Sequence, residues 1–102
     1  MTPRNQREID DMLSSNINKW VISYFQMFTC QVILRAFTEP VERNTINKNL
    51  QAEMNTMLRR LAKFKKYVSP ECYNNMIESI RDLKDETRLC IIKALNEEGD
   101  IL

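Results

Sequence analysis

The chain has 102 residues, a formal net charge of +1, 43% hydrophobic residues and no histidine. That length holds one small domain. Near-neutral charge gives the whole molecule no strong pull on nucleic acid or acidic lipid, and the lack of His excludes Ser-His or Cys-His nucleophile pairs and Cys/His zinc sites. One Gly and three Pro exclude a phosphate-cradling loop and count against β-architecture, which needs turn residues at short intervals.

Thr2-Pro3 reads as a helix start, with Thr as cap and Pro in the first position. Ile9, Leu13, Ile17, Trp20 and Tyr24 then recur at steps of four and three, one helical stripe. Ser14-Ser15-Asn16 side chains compete for backbone hydrogen bonds and are a candidate break. The stripe stays in phase across them, so one helix is expected over about 3–37. Thr38-Glu39-Pro40 stops it, because the residue before proline is pushed out of the α region.

Within this helix, Trp20 to Phe37 is apolar on nearly every side. Trp20, Tyr24 and Met27 mark one face, which continues the Ile9 stripe and is assigned to the core. Val21, Ile22, Phe25, Phe28, Val32 and Ile33 form a second. A helix apolar all round must be covered all round. The stretch is no membrane span: Gln26, Thr29, Gln31 and Arg35 interrupt 18 residues, and a span needs about 20 mostly apolar ones.

The second helix is expected over about 39–67, capped by Thr38, Asn44 or Thr45. Ile46, Leu50, Met54, Met57, Leu61, Phe64 and Val68 follow at close to heptad spacing, a narrow seam with a polar opposite side. Ser69-Pro70-Glu71 opens the third helix, over about 70–98. Ser69 caps it, Pro70 takes the first position, and Glu71 favours the positive end of the dipole. Tyr73, Met76, Ile77, Ile80, Leu83, Ile91 and Leu95 lie on its stripe. Leu89 and Ile92 lie off it. Gly99 suits the position just past the end, and Asp100-Ile101-Leu102 is expected to fray.

Short connections make consecutive helices antiparallel. The expectation is an all-α fold, an antiparallel up-down-up bundle of three long helices, completed by self-association or a partner helix. The proportions resemble those of spectrin-like three-helix modules with a tryptophan early in the first helix; the likeness is architectural and implies the three-helix fold alone.

Three functional expectations follow. First, Val21, Ile22, Phe25, Phe28, Val32 and Ile33, with Leu89 and Ile92 at the same end, form a docking face for another protein or a second copy of the chain. The bland alternative is that the first helix is simply central, but its apolar positions exceed what two narrow stripes enclose. This makes the chain a non-catalytic adaptor, homodimer or small subunit of a complex. Second, Arg59, Arg60, Lys63, Lys65 and Lys66 form a basic cluster, with Arg59, Lys63 and Lys66 projecting together. It reads as a solvated face or, alternatively, as contacts to nucleic-acid phosphates or an acidic partner. Tyr67 is its nearest stacking candidate. Third, Glu78, Arg81, Asp82, Asp85 and Glu86 form a solvated charged face, with Arg81 and Asp85 paired four apart. No catalytic residue, cofactor or metal is expected. Cys30, Cys72 and Cys90 lack CxxC spacing and are expected buried and reduced, and the polar N-terminus is no signal peptide. An intracellular location, cytoplasm or nucleus, is expected.

Overall fold

The computed structural model describes residues 3–101, with side chains from Asn5 onward; the Thr2 cap and Leu102 lie outside the described residues. Three α-helices make up the described chain: α1 (Pro3–Ala36), α2 (Arg43–Leu61) and α3 (Pro70–Glu97), with a short 3₁₀ turn at Ala62–Phe64. The body measures 55 × 17 × 16 Å, and α1 alone accounts for the long axis, since 34 residues at the α-helical rise span about 50 Å.

Helix directions follow from contacts far apart in sequence. Asp10, early in α1, bonds to Ser69, the cap of α3. Val41, just after α1, pairs in a parallel bridge with Ile101, just after α3. So α1 and α3 run the same way, and α2 runs back against them. α3 packs closely on both other helices, whereas α1 and α2 approach each other less closely. The central element is therefore α3 and not α1.

In α2 and α3 the core is built from the predicted seams. Ile46, Leu50, Met54, Met57 and Leu61 of α2 are buried, as are Met76, Ile80, Ile91 and Leu95 of α3. α1 contributes Ile17, Val21, Phe25 and Phe28. It runs unbroken through Ser14-Ser15-Asn16; Asn16 donates to the Met12 carbonyl one turn back, at 2.9 Å.

The element ends differ from expectation in three places. Thr38 caps nothing ahead of it: its hydroxyl donates back to the Arg35 carbonyl at 2.8 Å, closing α1. α2 begins at Arg43, not 39, because Val41 is buried and its N–H donates to the Asp100 carbonyl at 2.8 Å. Glu42 stands at its cap position without a side-chain bond. α2 also stops at Leu61, and the tighter 3₁₀ winding of the next turn takes Phe64 off the buried seam.

The tail is clasped where fraying is expected. Gly99, at φ 74°, takes the left-handed conformation that ends many helices. Its N–H donates to the Asn96 carbonyl at 3.2 Å, and that of Asp100 to the Leu95 carbonyl at 2.8 Å. This reversal delivers Ile101 onto the core beside Val41. At the other end of α3 the predicted cap is present: Ser69 Oγ accepts from the Cys72 N–H at 3.2 Å.

Candidate functional site

α1 presents two apolar seams, and the packing reverses their assignment. Val21, Phe25, Phe28 and Val32 follow at steps of four, three and four, a seam in itself. This seam faces inward: Val21 is 0%, Phe25 3% and Phe28 7% exposed. Val32, Ile33 and Ile92 are half-buried against the core. These residues are therefore not a free docking face, because α3 packs closely enough to cover them. Ile22 and Leu89 alone of the predicted set are exposed. Leu89 stands nine residues beyond the buried Ile80, half a turn around α3 and directed away from the core.

The outward side of α1 belongs to the other seam. Met27 and Leu34 are each 62% exposed and Phe37 is 81% exposed. Trp20, seven residues before Met27, is half-buried on the same line, its ring edge-on to Tyr24 at 5.9 Å. Cys30 is exposed on this side and Cys90 is exposed on α3, against the expectation of burial. Cys72 is half-buried, its Sγ 3.3 Å from Ser14 Oγ. From Trp20 to Leu34 the helix carries no charged residue.

The loose approach of α1 and α2 leaves a groove along this seam. One hollow of about 450 Å³ is lined by Leu13, Asn16, Ile17, Trp20, Arg60 and Phe64. A second lies further along, between Tyr24, Met27, Phe28 and Gln31 of α1 and Glu53 of α2. Both are open and shallow, and they follow the same face of α1. Tyr24 Oη donates to Glu53 Oε2 at 2.6 Å across the groove floor. That bond is the main cause of a raised Tyr24 pKa, with burial and the Glu53 charge acting in the same direction and the nearby Arg60 opposing.

All five cations of the basic cluster are exposed, but they do not share a face. The helix ends between Arg60 and Lys63, so the α-helical spacing that aligned Arg59, Lys63 and Lys66 is lost. Lys65 Nζ lies 5.6 Å over the Tyr73 ring and Lys66 Nζ 5.1 Å over Tyr67. Lys66 thus lies over one face of the Tyr67 ring, which is otherwise 53% exposed. Arg59 bonds to Thr56 Oγ1 at 3.2 Å. Only Arg60 borders the groove. On α3, Asp85 pairs with its neighbour Lys84 at 3.6 Å and not with Arg81.

Among the described residues no group of three or more Cys, Asp and Glu is placed to hold a metal ion, and no helix is long and apolar enough to cross a membrane. No protein-family model matches the chain, and no curated protein or solved structure matches it either.

Proposed function

We propose that this chain is a non-catalytic protein-interaction module, an adaptor or small subunit of a larger complex in a reducing compartment, cytoplasm or nucleus. It buries the outward seam of α1 and the adjoining α1–α2 groove against a helix of another protein or a second copy of itself. The observation that carries this reading is the side of α1 around Met27 and Leu34: free of charge over four helical turns, with Met27, Cys30 and Leu34 exposed and only Ser23 and Gln31 as polar residues among them. Interface centres are depleted of charge and enriched in Met and aromatic residues in the same way. Each large side chain moved out of water contributes about 1.5–3 kcal/mol before association costs are subtracted. Trp20, half-buried at the groove, needs little rearrangement to take part.

The test is a double substitution, Met27→Asp with Leu34→Asp. Both side chains are more than half exposed, so helicity by circular dichroism is expected to match the wild type. The wild type is expected to sediment as a complex, with itself or with a stoichiometric co-purifying protein, and the variant as a lone chain. An unchanged sedimentation profile in the variant overturns the reading.

The alternative is nucleic-acid contact through Arg59, Arg60, Lys63, Lys65 and Lys66, and their exposure favours it. It requires binding that falls steeply with added salt. Their dispersal over a helix, a 3₁₀ turn and a loop, with two of them on tyrosine rings, supports it less well than the uncharged seam supports a protein partner.

A further inference from the structure

We infer that the occupant of the α1–α2 groove is an amphipathic helix of another protein whose apolar stripe is flanked by acidic residues, with Arg60 as the cation that receives it. This rests on the interaction-module reading above and gives that partner its chemistry.

The argument is charge complementarity. No carboxylate side chain lies between Asp11 and Glu39, and Glu53 is the only one between Glu42 and Glu71. These two segments supply both walls of the groove. Glu53 accepts from the Tyr24 hydroxyl at 2.6 Å and keeps its charge, but it lines the second hollow and not the one that Arg60 borders. On the other side of the balance stand Arg60 at the mouth of the larger hollow and Lys63 one turn further on. Lys19 is exposed beside Trp20 on α1. Among the described residues no hydrogen bond or ion pair holds the Arg60 guanidinium; its field is felt only as a lowering influence on the Tyr24 hydroxyl. A guanidinium beside an apolar floor that loses its water on binding suits bidentate carboxylate binding.

The floor decides between protein and nucleic acid. Leu13, Ile17, Trp20 and Met27 present aliphatic and aromatic surface along one face of α1, with Phe64 of the 3₁₀ turn opposite. A phosphate backbone leaves such surface wet, whereas an apolar stripe at helical spacing fills it. A second copy brings the wrong charge through α1 or α2, because residues 12–38 and 43–70, which line the groove, carry many Lys and Arg and the single carboxylate Glu53. Its acidic α3 offers only Leu89 as an exposed large apolar residue.

Trp20 is the only tryptophan and stands in the groove, so its emission reads occupancy directly. Two synthetic helical peptides serve as probes. They share one leucine stripe at helical spacing, one carrying glutamate flanks and the other lysine flanks. The glutamate peptide is expected to shift Trp20 emission and to bind about tenfold tighter than the lysine peptide at low salt, because opposite potentials meet. The gap is expected to narrow as salt is added. Arg60→Glu, at an exposed position, is expected to keep the circular dichroism spectrum and to erase or invert the preference. Equal binding of both peptides overturns the acidic occupant and leaves the interaction-module reading standing. Self-association that neither peptide competes with overturns it in favour of a second copy. Tighter binding of a duplex oligonucleotide at the same groove overturns both, as does the absence of any peptide binding by a chain that sediments alone.

Discussion

Asp10 accepts two hydrogen bonds from the single residue Ser69, from its backbone N–H at 3.0 Å and its hydroxyl at 2.7 Å. The same hydroxyl accepts from Cys72, so one serine caps α3 and ties it to α1. Gln6 adds a third bond to the carboxylate at 2.8 Å. The Ser69 hydroxyl, then the Ser69 N–H, hold the Asp10 pKa below its ordinary 3.8. A depressed folded pKa means stability that is present above about 3.8 and lost as pH falls through the lower folded value. Asp10→Asn is expected to be less stable than wild type at neutral pH, with the difference shrinking in acid. Urea denaturation at stepped pH checks this; a difference that stays constant down the acid limb would show that the carboxylate charge is irrelevant to the junction.

The Tyr24–Glu53 bond works in the opposite pH direction. Its acceptor raises the Tyr24 pKa above 10.0, so its contribution is present below pH 10 and lost as pH rises through the folded value. Tyr24→Phe is expected to cost about 1 kcal/mol at neutral pH, a typical net hydrogen bond, and to remove this alkaline step. Trp20, whose ring lies 5.9 Å from Tyr24, reports the tyrosine's ionisation by loss of emission. A Trp20 emission titration that is the same in wild type and Tyr24→Phe would contradict the assignment.

Much of this arrangement is legible from residue spacing, because burial and periodicity coincide. Ile46, Leu50, Met54, Met57 and Leu61 are buried where their heptad spacing places them, and Ser69-Pro70 announces its cap. Orientation is harder. Val21, Phe25, Phe28 and Val32 make one seam, and Trp20, Met27 and Leu34 make another about a third of a turn away. Either satisfies helical periodicity, and only the position of α3 decides which is covered. A signal was available: the first seam is denser in Phe and β-branched residues, so burying it removes more apolar area from water. Val41 and Ile101 left no such trace. Val41 stands between Pro40 and Glu42, Ile101 between Asp100 and Leu102; neither belongs to a helical period, and their bridge depends on a chain reversal at Gly99. The groove was equally hidden, since the gap between α1 and α2 is a property of packing and of no single helix.

The two seams predict opposite behaviour for adjacent residues. Phe28→Asp places a carboxylate at a position 7% exposed, and an unpaired buried charge together with the lost ring is expected to cost more than about 4 kcal/mol. A domain of this size is not expected to remain folded. Met27→Asp, at 62% exposure, is expected to change stability by within about 0.5 kcal/mol. Thermal melts of the two variants separate these outcomes. Similar melting of both would show that the inward seam has been misidentified.

The clasp at the far end offers a test through backbone conformation. A Cβ added at Gly99 meets no atom within 4 Å, yet the residue sits at φ +74°. Gly99→Ala therefore costs only the left-handed backbone penalty, about 1 kcal/mol. Ile101→Ala removes half-buried apolar surface beside Val41 and is expected to cost about 1–2 kcal/mol, less than truncating a fully buried isoleucine. Both act through the same reversal, so the double variant is expected to lose less than the sum of the single losses. Equilibrium denaturation of the four proteins in a double-mutant cycle measures the coupling. Strict additivity would mean that Ile101 reaches the core without the turn at Gly99, and that the tail is not held as the Asp100 and Val41 hydrogen bonds require.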